Sequence, residues 1–262
     1  MLKKIYNWSS SWTGTIVIVL TIIFFVAQAF VIPSGSMKNT LLIGDMLFVK
    51  KFSYGVPTPT IPWIEVKVLP DFKGNGHLIE GERPKRGDIV VFRYPHNPDI
   101  HYVKRAVAIS GDTIFLKNKI LYLHPKEGND FVKTEFKDYE TIDLNGKLFV
   151  VSPYKKEHKG IHNDINVTKS YSNPKELFDM QEIVIPEDET FMMGDNRDHS
   201  NDSRFWGTVH YKYIVGKPWF IYFSWDDNYE IRWDRVLKSV ETLEKTVDFE
   251  KLKKIEHEEG IY

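Results

Sequence analysis

The chain has 262 residues, 35 lysines and arginines against 36 aspartates and glutamates, and a formal net charge of −1. Hydrophobic residues make up 42% and charged residues 27%, an ordinary globular balance that excludes a disordered or fibrous chain and gives no electrostatic reason to expect nucleic acid. The absence of cysteine excludes a disulfide scaffold, a thiol nucleophile, an iron–sulfur cluster and a cysteine-based zinc site.

In chain order, residues 1–12 come first, with Lys3 and Lys4, no acid, and Trp8 and Trp12. Residues 13–32, TGTIVIVLTIIFFVAQAFVI, then run for 20 positions without a charge. As a helix they would span about 30 Å, the thickness of a bilayer core. Lysines before the run and tryptophans at its edge predict a cytoplasmic N-terminus, a single-pass transmembrane helix at 13–32 and the rest of the chain on the extracytoplasmic side of the cytoplasmic membrane. A cleaved secretory peptide competes with this reading, because Ala27-Gln28-Ala29 has the A-x-A form of a processing site. Continuation of the apolar run through Phe30, Val31 and Ile32 favours a retained anchor.

Later apolar stretches are short and rich in β-branched and aromatic residues: 46–52, 88–94, 100–109, 148–152, 213–216 and 219–225. Turn signals such as Arg86-Gly87-Asp88 punctuate them, so the ectodomain is predicted to be mostly β. Residues 57–84 hold five prolines and three glycines and read as an irregular excursion. Residues 117–189 are more polar and are predicted to form a second β subdomain, inserted into a core made of 33–116 and 190–235. In the tail, 236–262, Val236, Val240, Leu243 and Val247 step at helical spacing and predict a surface helix with lysine and glutamate outward.

Three segments could carry chemistry. Pro33-Ser34-Gly35-Ser36-Met37 follows the apolar run at once, placing Ser36 four residues past its end and within roughly 15 Å of a bilayer interface. In Ile100–Ile109, alternation puts Lys104 on one face with Tyr102, Ala106 and Ala108. Such a lysine is either an edge cation reaching for water or an amine desolvated enough to act as a general base. The third segment, residues 193–204, interleaves Asp195, Asp198 and Asp202 with two arginines and misses the calcium-loop pattern. Internal ion pairs explain it better than a metal. A Ser/His hydrolase using His101 or His199 stays open, as does a non-catalytic anchored β module that scaffolds an envelope complex.

Together these segments resemble the bacterial type I signal peptidases, or leader peptidases. The matching stretches are PSGSMKNTLLIGDMLFVKKFSYG at 33–55, RGDIVVFRYP at 86–95, HYVKRAVAISGDTI at 101–114 and MGDNRDHSNDSRFWG at 193–207, with GKPWFIYFSWD at 216–226 similar to the family's closing strand. They stand in the family's order next to an N-terminal anchor. One departure is Asn39, where the family pattern P-S-x-S-M-x-P-T-L has proline.

The resemblance implies a membrane-bound serine endopeptidase on a β-rich fold, without cofactor or metal, that removes signal peptides from exported preproteins beside membrane lipids and the export machinery. It implies Ser36 as nucleophile and Lys104 as general base. The Ser36 N–H and the Ser34 hydroxyl would form the oxyanion hole. Ser200 would hydrogen-bond and orient the Lys104 amine, and Asp202 and Arg204 would pair to support the Ser200 loop. Ile32, Met37, Tyr102 and Val103 would line the substrate pockets, which are shallow and accept small side chains.

Overall fold

The computed structural model describes residues 2–61 and 66–246. Helix α1 (Leu2–Ser9) gives way at a run of serines to helix α2 (Trp12–Thr21), where the Ser11 hydroxyl caps the new helix by accepting from the Gly14 N–H. A π turn at Ile22–Val26 continues α2, and Ala27–Val31 is already strand β1. The expectation of one helix over 13–32 is corrected here. Helical backbone ends at Val26, so Ser36 lies ten residues beyond it.

The cause is main-chain pairing. β1 runs antiparallel to β2 (Asp45–Lys50), with Ala27 opposite Lys50 and Val31 opposite Met46. An uncharged run of β-branched and aromatic residues suits a sheet edge as well as a helix, and composition alone does not divide it. By length and composition no single described helix can cross a membrane, whereas Lys3–Ser9 and Trp12–Val26, bent by 81°, pass that test as a pair. Lys51, buried at the end of β2, donates from Nζ to the Ile23 carbonyl at 3.1 Å and so closes the last helical turn.

The irregular stretch contains one short hairpin, β3 (Gly55–Pro57) with β4 (His77–Glu80). β5 (Ile89–Tyr94) and the long β6 (Asn97–Ile109) follow. The chain next builds a separate sheet from β7 (Thr113–Lys117), β8 (Ile120–His124), β9 (Thr141–Leu144), β10 (Lys147–Val151) and β11 (Met180–Val184), with helix α3 (Asn129–Glu135) between β8 and β9. It returns through β12 (Glu189–Met193), helix α4 (Ser203–Trp206), β13 (Val209–His210), β14 (Ile214–Ser224) and helix α5 (Val240–Lys245).

The first sheet has seven antiparallel strands in the order β1-β2-β14-β5-β6-β12-β13. The second sheet starts at Thr113 and shares a core cluster with the first. Ile114, Leu116, Leu121 and Leu123 pack into the same cluster as Val107, Ala108, Phe191 and Met193 from β6 and β12. A second cluster, including Ile32, Met37, Leu41, Leu47 and Ile221, lies under the loop that joins β1 to β2.

Two further expectations change. Residues 213–216 and 219–225 read as separate strands across Lys217-Pro218, yet β14 is one strand of 11 residues. Pro218 falls where its register against β2 shifts, a place in the ladder that needs no N–H donor. The tail helix begins only at Val240, because Leu237 holds φ at 61°, outside any right-handed helix. Val240 and Leu243 pack on the core as their spacing implied, but Glu244 also turns inward, to Arg105. A buried cation overrides the outward preference of a glutamate. Residues from Val247 onward lie outside the described residues.

Candidate active site

β1 ends beside a turn that the sequence makes tight. Ile32 exchanges backbone hydrogen bonds with Asp45 and Gly44, and Gly35–Met37 forms a single 3-10 turn with Ser36 at its centre. The turn is held from the segment after β12: the Asn196 side chain donates to the Gly35 carbonyl at 3.0 Å, and the Asn196 N–H donates to the Ser36 carbonyl at 3.2 Å. That approach requires Gly194, where a Cβ would stand 2.3 Å from Ser200 Oγ and 2.5 Å from the Ser36 oxygen. The base of the same loop is fixed by Asp45, which accepts from Arg235 Nε at 2.9 Å and Nη2 at 2.6 Å.

Lys104 reaches this turn from β6. Its amine lies 2.8 Å from Ser36 Oγ and 3.0 Å from the Val103 carbonyl, and the side chain is 4% exposed. Burial pushes the amine down to about 8, against the opposing pull of the Asp202 and Asp195 carboxylates. The Ser34 hydroxyl donates toward Ser36 Oγ at 3.4 Å.

Asp202 and Arg204 pair through two contacts, 2.8 Å from Nε and 2.9 Å from Nη2, and Asp202 also accepts from the Gly194 N–H at 3.0 Å. Ser200 lies in the same segment as Asp202 and Arg204. The amine's partners are Ser36 and Val103, while the buried Ser200 hydroxyl lies toward Asp202 and helps to hold that carboxyl low without closing a well-formed hydrogen bond. Neither histidine approaches the serine in hydrogen-bond geometry. His199 Nε2 meets Asp164 at 3.0 Å, and the His101 ring packs edge-on against Phe30 at 5.1 Å, its pKa lowered by burial to about 4.

A cleft of about 750 Å³ opens on these groups, lined by residues 28–37, residues 99–104, His199 and Asn201. Ile32, Met37, Tyr102 and Val103 are among the lining residues. Its two long walls are strand edges. Among the described residues β1 pairs only with β2, and the first half of β6 only with β5, since β12 meets β6 at Arg105–Ile109. A strand edge on each side suits an added extended peptide. Among the described residues no group of three or more histidines, aspartates or glutamates could hold a metal ion.

Sequence reading names no partner for Arg105, Asp195, Asn196 or Glu244. Arg105 is fully buried and forks onto Asp195, with Nε to Oδ1 at 2.7 Å and Nη2 to Oδ2 at 2.7 Å. Asp195 also accepts from Thr40 Oγ1 at 2.6 Å. The available signal was the Gly-Asp-Asn run straight after a strand, which marks a turn without naming its distant partners.

Asn39 holds φ at 74° and meets His162 Nδ1 at 3.1 Å through its side-chain amide. Proline is locked near −65°, so the family's residue cannot occupy this backbone. Asn39→Pro should destabilise the chain by more than about 1 kcal/mol and reduce turnover, whereas Asn39→Gly keeps the left-handed turn and should retain both. Denaturation midpoints of the two variants check this, and an unharmed proline variant would refute it.

A sequence-family model described as "Signal peptidase, peptidase S26" matches residues 5–225. Signal peptidase I of Helicobacter pylori (strain J99) is 48% identical over 292 residues, covering 95% of this chain and 98% of that one. Signal peptidase I of Pseudomonas aeruginosa is 37% identical over 84% of this chain and 73% of the other. A crystal structure of a signal peptidase I from Enterococcus faecalis V583 aligns with 52% of this chain and 97% of its own, at 24% identity and a TM-score of 0.33.

Proposed function

We infer a mechanism and a substrate from one premise: the chain belongs to the signal peptidase (peptidase S26) family and is a signal peptidase hydrolase. We propose that it is a serine endopeptidase with a Ser36/Lys104 dyad, acting on the signal peptides of exported preproteins at the outer face of the cytoplasmic membrane, with its N-terminal segment as anchor. The observation that carries the proposal is the 2.8 Å approach of a buried, weakened amine to Ser36 Oγ.

Neutral Lys104 accepts the Ser36 hydroxyl proton as Oγ attacks the scissile carbonyl. The oxyanion meets the Ser36 N–H and the Ser34 hydroxyl. The Lys104 ammonium then returns its proton to the leaving amine. A water, deprotonated by the same lysine, hydrolyses the acyl-enzyme. The substrate enters as an extended strand between the edges of β1 and β6, and the apolar walls made by Ile32, Met37 and Val103 favour small side chains at P1 and P3. Asp202 and Arg204 stiffen the Ser200 loop beside the amine.

Incubating purified protein in detergent with an A-x-A preprotein, and sequencing the new N-terminus, tests this. Wild type should cut after the small-x-small motif, and Ser36→Ala should not. Retained cutting by the alanine variant would overturn the assignment. Ser34→Ala should lower kcat by about 10²–10³-fold with a smaller change in KM, because its hydroxyl meets charge that exists only in the transition state. Unchanged kcat would remove Ser34 from the oxyanion hole.

A further inference from the structure

Buried charge around the dyad balances. Arg105, Arg197 and Arg204 are all buried, and so are Asp195, Asp202 and Asp198, the last neutralised by Lys119 at 2.9 Å. Arg204 pairs with Asp202, and Arg105 with Asp195. Among the described residues no carboxylate lies at hydrogen-bond distance of Arg197, which is pushed down to about 10 by burial and by the other two arginines. The third carboxylate comes from the opposite end of the chain: Glu244 on α5 places Oε1 2.6 Å from Arg105 Nη2, burial raising its pKa while the Arg105 charge and hydrogen bond favour its ionised form. Three guanidiniums thus face three carboxylates, and a proton on Lys104 is the surplus charge.

Arg105 is also the mechanical junction of the site. It follows Lys104 on β6, donates to the Gly87 carbonyl at 2.6 Å, and grips Asp195, whose neighbour Asn196 holds the Ser36 turn. Glu244 completes its shell. The other charged or titratable groups facing Glu244 are His158 from the β10–β11 segment at 3.5 Å, Asp195 from the turn after β12, Lys217 from β14 and Lys245 from α5 itself. His158 is held neutral, its pKa lowered by burial and by Arg105 to about 4. Facing Lys104 are Ser36 from the β1–β2 loop, Asp195 and Asp202 from the segment after β12, and the Tyr102 ring at 5.0 Å on its own strand.

We propose that Glu244 is a positioning residue for the Ser36/Lys104 reaction: through Arg105 it fixes β6 against the Asp195–Asn196 turn, and it supplies the carboxylate that balances the buried charge beside the lysine. The inference rests on the Ser/Lys reading. It makes the tail helix part of the catalytic apparatus, although α5 contributes nothing to the cleft lining.

The test uses the full chain in detergent with a peptide substrate, following kcat, KM, melting temperature and the pH dependence of kcat/KM. Glu244→Gln should lower kcat by about tenfold, the scale of one charge-assisted hydrogen bond, with KM changed less than about twofold. Removing a negative charge disfavours the ammonium, so the acid limb of its profile should move to lower pH. Glu244→Asp keeps the charge but withdraws from Arg105, so its limb should stay in place while kcat falls. Glu241→Gln, on the exposed side of α5 in a pair with Lys245, should match wild type in every measurement. An acid limb unmoved in Glu244→Gln, or a kcat loss equal to that of a Phe149→Leu core variant of matched melting temperature, overturns the inference. Should Glu244→Gln fail to fold, an aspartate variant with wild-type kcat overturns it equally. A wild-type profile with no limb near pH 8, together with activity in Ser36→Ala, would instead defeat the Ser/Lys reading itself.

Discussion

Lys104→Arg should have no measurable turnover while remaining folded. Guanidinium stays protonated at any working pH and cannot take the Ser36 proton, so preserving the charge preserves nothing of the chemistry. The native amine, lowered by burial to about 8, is neutral in about one molecule in ten at pH 7, against roughly one in 2,500 for an exposed lysine. Its kcat/KM should therefore climb with pH through about 8 as the base form appears. Stability follows pH in the same sense. Between about 8 and the lysine's ordinary 10.5, the folded chain binds fewer protons than the unfolded one, so folding gains stability as pH rises through that window. Below it the native state carries a penalty of about 3 kcal/mol. Lys104→Met should remove that penalty, giving an inactive protein that is more stable than wild type at pH 7 and loses its advantage toward pH 10.5. Urea titrations at the two pH values measure the difference. Near-wild-type turnover in the arginine variant would end the general-base assignment.

Asp195→Ala should cost the most stability of any single change near the site. Burial alone would raise the Asp195 carboxyl, but the Arg105 charge, its two hydrogen bonds and that of Thr40 hold it below the usual range. Removing it takes the forked partner from a guanidinium with no exposed surface and leaves it Glu244 and the Gly87 carbonyl. Breaking a buried pair from one side costs about 3–5 kcal/mol, a drop of roughly 6–20 °C in Tm for a domain of this size. Activity should fall even below the melting transition, because the Asp195–Asn196 turn positions Ser36. A melting temperature within a degree of wild type would show that Arg105 finds its compensation elsewhere.

The strands were readable where turn signals bounded β-branched runs, as at β2, β5 and β6. The motifs placed Ser36 and Lys104 on segments that the fold brings to 2.8 Å. What escaped was set by partners remote in sequence. Ala27–Val31 becomes a strand because β2 lies beside it, and no local property of those five residues says so. Arg105 reads as a strand residue until Asp195, 90 positions on, and Glu244, 139 positions on, enclose it. Helical periodicity turns Glu244 toward solvent because it sorts apolar from polar and has no provision for a cation waiting inside. The Ser200 hydroxyl shows the reverse case, a role implied by likeness that this side-chain arrangement does not display.

The junction between α2 and β1 contains no spare residue. The π turn ends at Val26, the strand starts at Ala27, and Lys51 clasps the helix's final carbonyls from the end of β2. Set in a bilayer, a helix responds to local lipid thickness by tilting. With no slack to absorb it, that tilt would pass as torque into β1, one of the two walls of the cleft. In such a setting turnover would vary with acyl-chain length even for a short water-soluble peptide.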